Sequence, residues 1–273
     1  MKTIIGNSGG LDSTYALWKL LSTTTDDVTV VLLNTDDLTP EVMRKFDVRS
    51  FNSTQSNASR VARVQSIVQW LSSNVRPCTL AEVRLDGSVM RRGVEYPNNP
   101  QTIIVDWAIQ KINAGEADKV IVTTERENDG FSNGGTIATR APGALAARDR
   151  FAADATRGQL SFMLLDMNYH QGMAIREMPA TLYALTRSCD SPAPEPCGVC
   201  FKCSKRNFFA EAIAGGKTDV EIRSYVASKS ELANGRWRSM KYWIAEDVSS
   251  CTHLSSDVTW DMPVWPSSVD KGL

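Results

Sequence analysis

The sequence predicts an α/β fold, a doubly wound parallel sheet followed by a smaller cysteine-bearing α segment. Three observations carry that expectation. Lys2 to Asn7 is a short β-type run that breaks at serine and glycine, and Ala16, Leu17, Leu20 and Leu21 then recur at helical spacing. Val28 to Leu33 is a run rich in β-branched residues and apolar but for Thr29, as in a strand buried on both faces of a parallel sheet. Strand-like and helix-like stretches then alternate, the pattern that parallel strands joined by crossover helices produce.

The elements follow in order. After strand, loop and helix, the second strand ends at Asn34-Thr35-Asp36-Asp37. Val61, Val64, Val68 and Leu71 mark one helix face, and Cys78 to Leu85 is a weaker strand candidate. Ile103, Ile104, Trp107, Ala108 and Ile112 mark a further helix opening just after Pro100, where a missing N–H costs nothing. Both helices are expected to cover sheet faces. Lys119 to Thr124 and Leu160 to Met167 are the next strand candidates. Glu125 to Gly143, rich in glycine and poor in apolar residues, is expected as a long loop on the ligand-binding edge. Ser188 to Pro196, rich in proline and acidic residues, separates residues 1–187 from a zinc-binding subdomain at 188–273.

A chain of 273 residues has room for one α/β core and a small appended module. Its formal charge of −1 argues against affinity built on phosphate neutralisation, so bulk nucleic-acid binding is not expected. Only Ile4 and Ile5 stand between the first lysine and the glycine loop, too few for a signal segment, and no later apolar run would span a bilayer. The expectation is a cytoplasmic protein with no membrane partner. In a reducing compartment the six cysteines read as thiols or metal ligands.

In Asn7-Ser8-Gly9-Gly10-Leu11-Asp12-Ser13-Thr14, glycines at a strand-to-helix turn let backbone N–H groups approach an anion, and the helix dipole adds to the attraction. Phosphate is the natural ligand. No lysine precedes the hydroxyl residue, so this is not a Walker A loop. The other reading is a glycine turn in which Asp12 or Ser13 caps the first helix. The stretch resembles the SGGxDS signature of PP-loop ATP pyrophosphatases, which have an adenine nucleotide alpha hydrolase-like fold. That resemblance implies ATP with Mg2+, Ser8 and Ser13 donating to pyrophosphate, amides from Gly9 and Gly10, and Asp12 ordering the loop or its magnesium. Asn34 and Thr35 would frame the adenine, or form a polar loop edge.

Cys189, Cys197, Cys200 and Cys203 form C-x7-C-x2-C-x2-C, the spacing of a closed tetrahedral Zn2+ site. Such a site folds a segment and leaves no open position for catalysis; an iron–sulfur cluster is the second reading. Cys78 and Cys251 stand alone and read as buried apolar residues.

The glycine loop, together with Cys189 to Phe209 and Arg206 just past the last cysteine, resembles the 7-cyano-7-deazaguanine synthase family of the queuosine pathway. Arg206 would by that resemblance contact phosphate or substrate; otherwise it is a surface charge. Tyr96-Pro97-Asn98-Asn99 resembles the family's P-x-R-N segment without its arginine. Where the family carries Gly-Tyr-Pro-Asp-Cys-Arg-Pro, this chain has Asn128 to Gly135, in which Asp129 could read a purine edge and Phe131 could stack on it. The implied reaction adenylates the carboxylate of 7-carboxy-7-deazaguanine, replaces AMP with ammonia to give an amide, and activates the amide to the nitrile. The partners are then a deazapurine and ammonia, with a homodimer also compatible. His170 reads as a hydrogen-bonded structural histidine, or one reaching the site.

Two other functions compete. One is another PP-loop adenylating enzyme, acting on a different carboxylate, a tRNA base or a macromolecule. The second is a zinc nucleic-acid-binding module, with Arg236, Trp237, Arg238, Lys241, Tyr242 and Trp243 interleaved as a stacking surface. That stretch otherwise reads as a packed helix with a solvated face.

Overall fold

The computed structural model describes residues 1–34, 57–84, 100–123, 151–152, 158–189, 195–198, 201–229, 232–233 and 236–237. Thr35, Asp129, Phe131 and Cys200 therefore lie outside the described residues. Strands β1 (Lys2–Gly6), β2 (Asp27–Asn34), β3 (Thr79–Arg84), β4 (Lys119–Ile121) and β5 (Gln159–Ser161) form one sheet in the order β3-β2-β1-β4-β5. Every neighbouring pair is parallel. The chain winds outward from β1 to β3, then crosses back to place β4 on the other side of β1. The carboxyl end of β1 thus sits where the winding reverses, the place at which open parallel sheets leave a crevice for ligands.

Period-two alternation sorts the strand side chains between two helical layers. Ile5, Val30 and Leu32 face helix α1 (Leu11–Thr23) and helix α2 (Asn57–Asn74), joining Leu11, Tyr15, Leu17, Val64, Ile67 and Leu71 in one buried core. Ile4, Val31 and Leu33 face the opposite way, onto Ile103, Ile104 and Ala108 of helix α3 (Pro100–Asn113). Each such aliphatic side chain stabilises the fold by roughly 1.5–3 kcal/mol when fully buried. The near-continuous apolar run of β2, interrupted by Thr29, follows directly from having helices on both sides.

The stretch expected as a strand from Leu160 to Met167 is corrected. Only Gln159–Ser161 is strand, and Met163–Asp166 forms a short helix, α4, that buries Leu164 and Leu165. A short apolar run does not by itself distinguish a buried strand from a buried helical turn, and here a three-residue β4 offers little ladder to extend. Val122 adds one further bond to Ser161 O at 2.9 Å.

Beyond it come helices α5 (Gln171–Glu177), α6 (Ala180–Leu185), α7 (Phe201–Ala214) and α8 (Asp219–Lys229). Phe208, Phe209 and Ala212 of α7 pack with Ile222 and Val226 of α8 in a separate small core, and Ile175 of α5 touches both this core and that of α1 and α2. Arg236–Trp237 pairs antiparallel with Leu232–Ala233, so the helical reading fails at these two residues. Asn234-Gly235 lies between them in the sequence, the strongest two-residue hairpin signal. No helix among the described residues is long and apolar enough to cross a membrane.

His170 is wholly buried, stacked on Phe209 at 5.6 Å between ring centroids. Its Nε2 lies 3.2 Å from Asp219 Oδ1, close enough to feel the charge but off the line of a good hydrogen bond. Burial pushes the imidazole down to about 4; Asp219 opposes this, while Arg223 and Arg176 add to it. Between pH 6.5 and about 4 the unfolded chain therefore takes up a proton that the folded one refuses. Stability is full above pH 6.5 and is expected to fall progressively as pH drops to about 4. Urea midpoints measured across that window should decline more steeply in the native protein than in His170→Gln; equal slopes would contradict the assignment.

Candidate functional site

The loop that leaves β1 is organised by its own side chains. Asn7, buried at the strand end, donates from its backbone N–H to Val31 O at 2.9 Å, and its Oδ1 accepts from Gly9 N–H at 2.7 Å. Gly9 then turns with φ of +76°, a left-handed conformation that a side chain makes costly. Ser8 N–H donates to Ser13 Oγ at 3.3 Å, the two hydroxyls lie 3.3 Å apart, and Gly10 N–H reaches Ser8 Oγ at 3.4 Å. Thr14, wholly buried, receives Asn7 Nδ2 at 3.5 Å. Leu11 anchors the following turn in the core. The loop therefore closes around the Ser8–Ser13 pair, with Ser8 exposed and Ser13 buried.

Two expectations are refined by this geometry. The Gly9 N–H is already taken by Asn7, and the Gly10 N–H by a long contact to Ser8, so an entering anion meets the Ser8 hydroxyl first and competes for Gly10. The capping alternative is not realised: Gly10 is the N-cap of α1, and neither Asp12 nor Ser13 occupies that position.

Asp12 lies in the first turn of α1, and both its oxygens are engaged. Tyr169 Oη donates to Oδ1 at 2.7 Å and Gln171 Nε2 donates to Oδ2 at 3.1 Å. Tyr169 and Gln171 are themselves buried, and Tyr169 stacks on Tyr15 at 5.0 Å. The carboxylate thus ties the first turn of α1 to the entry of α5.

A strap from Thr186 to Cys189 runs across the loop. Arg187 N–H donates to Gly9 O at 2.9 Å, and Leu11 N–H donates to Ser188 Oγ at 3.2 Å. Arg206, on α7, braces the start of this strap: its Nε donates to Tyr183 Oη at 2.6 Å, its Nη1 to Thr186 O at 3.3 Å, and its guanidinium lies 4.1 Å from the Tyr183 ring centroid. A cation stacked on an aromatic face in this way is stabilised by the ring quadrupole. Arg206 is therefore joined to the loop through the strap. Asn34, buried at the end of β2, donates to Glu82 Oε1 on β3 at 2.6 Å.

Three arginines that the sequence reading does not single out gather here. The stem of Arg63 on α2 lies over Gly9, where an added Cβ would stand 3.0 Å from its Cδ. Arg60, one turn earlier, donates from Nη2 to Leu33 O at 2.8 Å. Arg187 belongs to the strap. Burial, then the charges of Arg187 and Arg60, hold the Arg63 guanidinium below its usual pKa. The available signal was the i, i+3 spacing of Arg60 and Arg63 beside the inward-facing Val61 and Val64.

The sulfur atoms of Cys189, Cys197 and Cys203 all lie within 4.8 Å of one another, with Cys189 and Cys197 at 3.5 Å. Tetrahedral thiolates at about 2.3 Å from a zinc ion stand about 3.8 Å apart, so these three donors fit such an ion. Cys189 and Cys203 are buried while Cys197 is exposed. Cys197 N–H also donates to Cys189 Sγ at 3.3 Å, the kind of contact that steadies a thiolate. Cys78 is half-buried beside Ser72, and its thiol is pushed up by burial, which keeps it unreactive.

A scan against protein-family models and a search of curated proteins find no match to this chain.

Proposed function

We propose that this chain is an ATP-dependent carbon–nitrogen ligase of the PP-loop type, adenylating the carboxylate of a 7-carboxy-7-deazapurine before ammonia replaces AMP. The observation that carries the reading is the Asn7–Ser13 loop, closed around two serine hydroxyls at the sheet's winding reversal and bordered by arginines. Hydroxyl donors, a helix N-terminus and cations together favour a phosphate chain there. Magnesium would be held chiefly by the ATP phosphates and would neutralise their charge, and Asp12, whose oxygens accept from Tyr169 and Gln171, would fix the first turn after the loop. Zn2+, held by Cys189, Cys197 and Cys203 with Cys200 as fourth donor, supplies structure and no chemistry. The deazapurine as substrate rests on the sequence resemblance alone.

The expected products are AMP and pyrophosphate, since the loop lacks the lysine of γ-phosphoryl transfer. Phosphorus NMR of a reaction with Mg-ATP, ammonia and 7-carboxy-7-deazaguanine reads this directly, and mass spectrometry reads the amide or nitrile. ADP as the main product would refute the class. Unreacted acid beside AMP formation with another acceptor would leave the class and refute the substrate.

A further inference from the structure

We propose that Asp219 and Arg223 of α8 are positioning residues that place the Asp12 carboxylate beside the glycine loop, acting through the segment 168–171. The inference deepens the proposed function, on which it rests for what Asp12 does once it is placed.

The start of α8 is set by its own sequence. Thr218 Oγ1 accepts from Glu221 N–H at 3.2 Å, and the Glu221 carboxylate accepts from Thr218 N–H at 2.8 Å, a reciprocal cap. Ile222 and Val226 then bury against Phe208 and Phe209 of α7. Asp219 and Arg223, four residues apart, therefore lie on one side of a helix whose start and rotation are both fixed.

That side grips the entry of α5 at three points. Arg223 Nη1 donates to Asn168 O at 3.0 Å. Asn168 turns with φ of +51°, and its carbonyl belongs to the peptide plane from which Tyr169 departs. His170 Nε2 lies 3.2 Å from Asp219 Oδ1, and its ring is wedged between Phe209 and Gly172, where an added Cβ would stand 2.9 Å from Nδ1. Arg176, later on α5, donates from Nη1 and Nη2 to the two oxygens of Asp219, each at 2.9 Å.

The backbone at His170 is extended, with φ of −141° and ψ of 158°, so the side chains before and after it point away from its own. His170 faces α7 and α8, while Tyr169 and Gln171 face Asp12 and donate to it at 2.7 and 3.1 Å. A shift imposed on His170 or on the Asn168 carbonyl is thus passed to both donors that hold Asp12. The helix pair α7 and α8 is the platform from which the carboxylate is aimed.

The test is a double-mutant cycle on the full-length protein, read as initial rates of AMP formation with Mg-ATP, ammonia and 7-carboxy-7-deazaguanine. Arg223→Met keeps the stem and removes the donor. It is expected to lower kcat about 10-fold with KM for ATP changed less than about 3-fold, because a small misplacement is felt most in the reacting geometry. Arg223→Lys restores one donor and should recover most of the rate. In an Asp12→Asn background, Arg223→Met should cost less than about 2-fold, since the carboxylate it serves is gone. Asp219→Asn should behave as Arg223→Met does in both backgrounds. An unchanged kcat, or equal losses in the two backgrounds, would reduce these residues to structural ones and overturn the inference. Both are partly open to solvent, so folded variants are expected, and the same cycle is read in urea midpoints. If native protein forms no AMP, the proposed function falls and the urea cycle decides alone. Additive midpoint shifts would then overturn the coupling of α8 to Asp12, and an Arg223→Met shift that shrinks in the Asp12→Asn protein would uphold it.

Discussion

Replacing Cys203 with alanine is expected to strip the zinc and, with it, at least 100-fold of the affinity for ATP, while the five-stranded sheet survives. Structural zinc contributes about 10–16 kcal/mol of apparent binding free energy in small zinc peptides at neutral pH, so a lost ligand is not a small change. The consequence reaches the loop along two routes. Cys189 follows Arg187 and Ser188, which bond Gly9 O and Leu11 N–H. Cys203 stands one helical turn before Arg206, which grips Tyr183 of α6 and Thr186 at the start of the same strap. With the thiol cluster undone, the strap loses both anchors, and Arg187 is no longer held beside Gly9. The core of Ile5, Val30, Leu71 and their neighbours does not depend on the cysteines, so far-ultraviolet circular dichroism should change little. Elemental analysis of the native protein should find about one zinc per chain, and chelation should reproduce the variant. Native protein without zinc, or a Cys203→Ala protein that binds ATP normally, would show that the cluster is not a structural centre.

Asp12→Ala should abolish ATP cleavage and also lower stability, whereas Ser8→Ala should suppress cleavage alone, by about 100-fold. The difference follows from where the two side chains sit. Ser8 is exposed, and among the described residues its hydroxyl contacts loop atoms at 3.3 and 3.4 Å. Asp12 accepts two bonds from buried Tyr169 and Gln171, and a hydrogen bond to a charged group is worth about 1.5–3 kcal/mol. Discounted because Asp12 is itself only half-buried, their loss amounts to about 3 kcal/mol, or a fall of about 6–12 °C in Tm for a chain of this size. Asp12→Asn retains one acceptor and should fall between. Paired melting curves and product assays separate these outcomes. An Asp12→Ala protein that melts with the native one would mean the Tyr169 and Gln171 bonds carry no weight, and a Ser8→Ala protein that cleaves ATP at the native rate would remove the loop from the chemistry.

Those two residues also mark what could be read ahead of the fold. The glycine loop was legible because a strand, a run of small and hydroxyl residues and a helix occupy consecutive positions, so sequence order and spatial order coincide. The cysteine spacing was legible for the same reason, three of its four members lying within a few residues. What Asp12 touches was open: its partners Tyr169 and Gln171 lie more than 150 positions away. The partners of Arg206 were not legible, since Tyr183 lies on a short helix and Thr186 opens a strap with no periodic pattern of its own. Leu160 to Met167 was misread because a short apolar run suits a strand or a buried turn equally.

By itself the sequence determined the parallel core. A run as apolar as Val28 to Leu33, with Thr29 its one polar member, needs cover on both faces, and the helical spacing of Val61, Val64, Val68 and Leu71 supplies one cover. It determined as well where a phosphate chain and a metal would be sought. Tertiary structure alone decided which charges surround that place. Arg60, Arg63 and Arg187 share no local pattern that marks them as a group; each comes to the edge of the loop because the β1–β2 pairing sets the ends of both strands side by side and the strap crosses above them. Local periodicity reports which face of an element is apolar, whereas the company a charged side chain keeps depends on chain closure over many residues, and no short window of sequence contains it.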